Sequence, residues 1–273
     1  RTESALRSAF HLQSWTWHFG DGDDFDRAQA KLDALVQDVP FARARDTTAC
    51  LSARAALARG RYVDGVARCE ALLGQPGVAP DTERLARHLL ITGRLHLGDV
   101  DGMQKALEAL RHRIAGRDPE REAHTRGLEC VGWLLAGDLA RARRVAAAID
   151  RDAEVLGTRT LAAQGPLLRA MACVLEGRSS AMDELDAIDP SELTGNSRLQ
   201  WFGIRAVATG ATPDALSALR DQIARRRAVP EWSALADALA AGDREALGAL
   251  VAPGPCDVIV RLLALAMRSR TSA

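Results

Sequence analysis

Leu134 to Ile149 reads LLAGDLARARRVAAAI: the end of one helix, a Gly-Asp turn, and an amphipathic helix running back. After Gly137, the residues Leu139, Ala142, Val145, Ala146 and Ile149 step by three or four positions and draw one apolar stripe on a helix. A single stripe must be buried against something, and a short turn makes the preceding helix that something, giving an αα-hairpin. Working outward, a turn glycine after an apolar helix end recurs at Gly22, Gly60, Gly98, Gly137, Gly177, Gly210 and Gly242, at spacings of 38, 38, 39, 40, 33 and 32 residues. Periodicity of this kind marks a repeat architecture. The expectation is an all-α chain, 1–273 as one domain: a right-handed superhelix of about seven antiparallel hairpins.

Composition agrees with helices. Aromatic residues are 4% of the chain with a single tyrosine, too few for β-sandwich cores, and Ala, Leu and Arg, which dominate, are strong helix formers. Prolines punctuate the joints: Asp118-Pro119, Asp189-Pro190 and Thr212-Pro213 each place a capping side chain before a proline at the first helical position, and Glu192 completes a capping box with Asp189. Gly165-Pro166 falls inside an apolar helical pattern and predicts a break or kink. The last element, Asp257 to Arg268, reads DVIVRLLALAMR and is apolar over more than one stripe. It is expected to cap the last hairpin (256–269) or to form an interface with a further domain or a second copy.

Net charge is zero, with 36 basic against 36 acidic residues, so no global field of a nucleic-acid-coating protein exists. Only Lys31 and Lys105 are lysines; the arginine bias fits either anion recognition or a biased base composition. Five cysteines, odd in number and set in apolar runs, read as buried thiols in a reducing, cytoplasmic compartment. No apolar run reaches membrane-span length and no secretory pattern opens the chain. The start at Arg1 suggests a fragment of a larger protein.

The run of small or apolar residue, Gly, polar residue and large apolar residue before an amphipathic helix resembles the tetratricopeptide repeat. Leu57–Leu73, Leu95–Leu110 and Leu134–Ile149 match best, with Gly60, Gly98 and Gly137 in the turn and Tyr62, Val100 and Leu139 as the large residue. The longer spacing looks like the elongated repeats in sensor regions of large bacterial regulators. The resemblance implies that the first helix of each hairpin lines a concave face, which points to Arg54, His88, Thr92, His96, His124, Gln164, Met171, Gln200 and Trp232. His88, Thr92 and His96 step by four and share one helix face. Chaperone-binding members hold a carboxylate with Lys and Asn at positions that here carry Cys50 and Arg54, His88 and Thr92, Gly127 and Val131, so that clamp is absent.

Other candidates have plainer readings beside them. Trp15, Trp17 and His18 form an aromatic recognition patch or an end cap. His11 and His18, or His88 and His96, fall short of zinc-ligand spacing, and the acidic run Asp21, Asp23, Asp24, Asp26 lacks the glycine and terminal glutamate of a calcium loop. Arg225, Arg226 and Arg227 end a helix, where arginine complements the dipole. No nucleotide, hydrolase or metalloprotease motif occurs. The expectation is therefore a non-catalytic module without cofactor or metal, binding a protein, a peptide or a small effector on its concave face in bacterial signalling or transcriptional regulation. It is not expected to contact nucleic acid by itself or membrane. A scaffold that self-associates through its terminal helices is the alternative, and a helical enzyme with a histidine-containing cleft the remoter one.

Overall fold

The computed structural model describes residues 22–36, 42–116, 118–226 and 228–270. These form fourteen α-helices and one 3₁₀ turn, with no strand among the described residues. The helices are α1 (Gly22–Val36), α2 (Ala42–Ala58), α3 (Tyr62–Leu73), α4 (Pro80–Leu97), α5 (Val100–Ile114), α6 (Pro119–Leu135) and α7 (Leu139–Leu156). They continue with α8 (Arg159–Leu175), α9 (Ala181–Asp186), α10 (Gly195–Ala208), α11 (Pro213–Arg226), α12 (Pro230–Ala241), α13 (Arg244–Val251) and α14 (Val258–Arg270).

Six of the seven turn glycines share one local device. Gly60, Gly98, Gly137, Gly177, Gly210 and Gly242 all have φ between +63° and +77°, a left-handed conformation that costs glycine nothing. At each, the glycine N–H bonds the carbonyl three residues back and the next N–H the carbonyl five residues back, as in Gly137 to Leu134 and Asp138 to Trp133. This pairing closes the helix C-terminus and turns the chain. After three of these turns the next residue is an aspartate that caps the returning helix: Asp99 accepts from Gly102 N–H, Asp138 from Arg141, and Asp243 from Glu245 and Ala246. Gly22 differs, since it opens α1.

Two proline expectations change. α8 runs through Pro166 without interruption; the lost N–H removes one hydrogen bond, while Leu161, Leu167, Leu168 and Met171 bury on both sides of it and hold the helix. Asp189 caps only the 3₁₀ turn Pro190–Glu192, accepting from Ser191 N–H, and a full helix resumes at Gly195.

Consecutive helices pack on one another along the chain, and the even-numbered ones also touch each other: α2 with α4, α4 with α6, α6 with α8, α8 with α10. They thus form an inner layer backed by the odd-numbered helices. Arginines bridge the joints, Arg94 to Glu70, Arg111 to Glu129, Arg126 to Asp152, Arg143 to Glu176, and Arg169 to both Asp150 and Glu184. Such half-exposed pairs add little stability each but fix which side chains face one another.

α14 is not confined to the end of the chain. It packs on α13, as a cap would, and also on α4, α6, α8, α10 and α12. Val258, Ile259, Val260, Arg261, Leu262, Leu263, Ala264 and Ala266 are all buried. A helix apolar all round belongs in a core, and here the even-numbered helices supply that core.

Candidate ligand cavity

With α14 over the inner layer, a space of about 440 Å³ lies open among the described residues at its N-terminal end. Its apolar wall is Leu57 of α2, Leu95 of α4, Leu128 and Val131 of α6, Leu199 of α10, Val229, Trp232 of α12, and Val258 and Ile259 of α14. Tyr62, Thr92, His96, Asn196, Gln200, Asp257 and two ion-paired or amide-bound arginines, Arg59 and Arg226, supply the polar groups. Volume and mixture are those of a small-molecule site, about 300–1,000 Å³ and mainly apolar with a few fixed polar groups.

His96 holds the junction. Its imidazole stacks on the Tyr62 ring, centroids 4.3 Å apart and planes 9° from parallel. Nδ1 accepts the Val258 N–H at 3.0 Å, and the His96 carbonyl accepts the Cys256 N–H at 3.1 Å. The accepting Nδ1 requires a neutral ring protonated on Nε2. Burial pushes the imidazole below its usual pKa, with Asp257 opposing and Arg261 assisting that shift. Asp257 caps α14, its Oδ1 accepting from Ile259 and Val260 N–H. Arg261 is buried, reaches the Gly254 carbonyl and packs against Gly98. Glu231, raised by burial and by Asp257, accepts the Asp257 N–H.

The Tyr62 hydroxyl is buried without a hydrogen-bond partner. Its proton is held more tightly than in a free tyrosine, first by burial and then by Asp257 and Glu231. At the opposite side Arg226 donates to Asn196 Oδ1 at 3.1 Å, and at the rim Arg59 pairs with Asp26 at 2.6 Å.

Because the folded His96 titrates below its unfolded value, the unfolded chain binds more protons as pH falls below about 6.5, and stability declines toward the folded pKa. His124, lowered chiefly by burial, adds in the same sense. Urea midpoints are expected to hold near pH 7.5 and fall between pH 6.5 and 5. In His96→Asn, whose amide oxygen can replace Nδ1 as acceptor, the fall is shallower. Equal slopes in the two proteins would remove His96 as the source.

Of the residues expected on one face, Thr92, His96, Gln200 and Trp232 meet in this cavity. The others do not. Arg54 is buried between helices, where burial draws its guanidinium down to about 10, so it remains charged but presents no surface arginine. His88 lies a turn beyond Thr92, its carbonyl accepting the Thr92 hydroxyl. His124 pairs with Glu120 in the first turns of α6 at 3.9 Å, Gln164 presses on Gly127, and Met171 is core. Trp15, Trp17, His18, His11 and Arg227 lie outside the described residues. Asp24 and Asp26 pair with Arg27 and Arg59, and among the described residues no three His, Cys, Asp or Glu converge on a metal position.

Sequence reasoning missed Asn196, Asp257 and Leu128, and assigned Tyr62 to a turn, not to a site. Tyr62 carried one signal, being the only tyrosine. All five cysteines are buried free thiols, and burial pushes Cys50, Cys69 and Cys130 up to about 12 and Cys256 up to about 11, so these four are held as thiols. No helix among the described residues is long and apolar enough to cross a membrane. Comparison with protein families, with curated proteins and with solved structures finds no match for this chain.

Proposed function

We propose that this chain is a non-catalytic effector-binding module of tetratricopeptide-like helical hairpins, wound as a right-handed superhelix, serving a larger bacterial cytoplasmic regulator. Its ligand is a small molecule held in the cavity beside the start of α14. The observation that carries this reading is the cavity itself, a mixed polar and apolar space walled by helices far apart in sequence. A peptide laid along the inner layer is disfavoured, because α14 already covers α4 through α12 on that side. Self-association through α14 is disfavoured for the same reason, since its apolar side chains are buried within the chain.

A site walled by helices from both ends of the chain gives an effector leverage, because binding tightens the closure of N-terminal on C-terminal hairpins. The test is a thermal-shift screen of a metabolite library against the wild type and Gln200→Trp, whose indole would occupy the half-buried cavity wall. Hits are expected to raise the wild-type Tm by several degrees and to lose that effect in the variant. Hits that shift both proteins equally, or a library without hits, would reject the cavity as the site.

A further inference from the structure

The charged and polar groups of the cavity are not equally committed. Arg59 is paired with Asp26, and Arg226 donates to Asn196. Asp257 uses only Oδ1 to cap α14, and its Oδ2 accepts no hydrogen bond among the described residues. Tyr62, 1% exposed, stands in the same wall with a hydroxyl that has no partner. Around that hydroxyl two carboxylates, Asp257 and Glu231, face one guanidinium, Arg261, which is turned onto the Gly254 carbonyl.

Among the lining residues the uncommitted groups are therefore the Asp257 Oδ2 oxygen and the Tyr62 hydroxyl, while the buried Arg261 Nε–H, also without a hydrogen-bond partner, belongs to a residue outside the lining, and two carboxylates beside the hydroxyl face one guanidinium. Ring faces stand in the same wall: the Tyr62–His96 stack and Trp232, which attract a cation through their quadrupoles. Beyond them the wall is aliphatic, from Leu95, Leu128, Val131 and Leu199. A neutral ligand leaves the Asp257 oxygen poorly matched, and an anion would meet a carboxylate. A charged donor forms a stronger hydrogen bond to a carboxylate oxygen than a neutral one does.

We infer that the cavity takes a small organic amine as its ammonium, the cationic head between Asp257 Oδ2 and the Tyr62 hydroxyl and an apolar body against the aliphatic wall. This rests on the cavity being the ligand site. It adds the class of ligand, which the repeat plan does not specify.

The test uses matched sets: phenethylamine with 2-phenylethanol and phenylacetate, and tryptamine with tryptophol and indole-3-acetate. Each is titrated calorimetrically into the full chain at pH 7.5. Amines are expected to bind at least about tenfold more tightly than their alcohols, and carboxylates more weakly than either. Asp257→Asn, which retains a side chain able to cap α14, is expected to abolish the preference for amine over alcohol. Tyr62→Phe, which keeps the ring, weakens amine binding severalfold.

Amines binding no better than alcohols, with both lost in Gln200→Trp, would overturn the amine assignment and leave the cavity standing. Amine preference unchanged in Asp257→Asn would also overturn it. If none of the six compounds binds, or all bind Gln200→Trp as well as wild type, the amine assignment fails; the second result also removes the cavity as their site. Melting curves of each variant verify that a lost signal reflects binding and not unfolding.

Discussion

A chain ending at Ala252 is expected to lose cooperative folding. Removing α14 takes away Val258, Ile259, Val260, Leu262 and Leu263, all buried. At about 1.5–3 kcal/mol for each large aliphatic side chain, the loss approaches the whole stability of an ordinary domain, about 5–15 kcal/mol. It also uncovers the sides of α8, α10 and α12 on which α14 packs, including Trp232, which meets Leu263 beside Gly203. The expected result is a broad, non-cooperative melt by circular dichroism, strong binding of an apolar dye, and association at micromolar concentration. A truncated chain that melts sharply within a few degrees of the intact one would show that α14 is an appendage. The distinction bears on function, because the ligand cavity has α14 as one wall.

Replacing Trp232 by alanine is the next largest effect, about 3–5 kcal/mol for a large aromatic removed from a core. Trp232 is 3% exposed and separates the cavity from the contact of α10 with α12 and α14. That contact is close: a Cβ on Gly203 would lie 2.7 Å from Cζ3 of Trp232 and 2.8 Å from Cδ1 of Leu263. Gly203→Ala should therefore destabilise, although alanine is favoured over glycine in a helix by about 1 kcal/mol, since the buried ring and the α14 side chain must both shift. In the Trp232→Ala background the same change meets open space on one side and should cost less, or become stabilising. Urea denaturation of the four proteins in a double-mutant cycle gives the coupling. Additive changes would mean that the two residues do not touch.

How much of this was readable in advance follows from the range of each interaction. A left-handed glycine closing one helix, an aspartate capping the next and a stripe with period 3.6 are properties of a few neighbouring residues. The six matching turns, and the helices they join, could be placed from the letters alone. Pro166 and Asp189 show the limit even there: one helix persists through a proline because its sides are buried, and one capping aspartate closes only a 3₁₀ turn.

The cavity was half legible for the same reason. Thr92 and His96 were placed together by their shared helix face, and Gln200 and Trp232 by offset from their turns, but nothing local distinguishes them from His88, His124 or Gln164. Which of these meets a cavity depends on what crosses the inner layer. The apolar excess of residues 257–268 showed that this segment must be buried, because a helix without a polar face has no stable place in water. Where it is buried was decided only in three dimensions, by pairing Val258 with His96 across 162 residues of chain. The sequence by itself thus determined the helices, their turns and the need to bury the last of them. Tertiary structure decided that this last helix fills the inner face and leaves a small cavity instead of an open groove, since hydrophobic burial specifies an area to be covered but no particular partner.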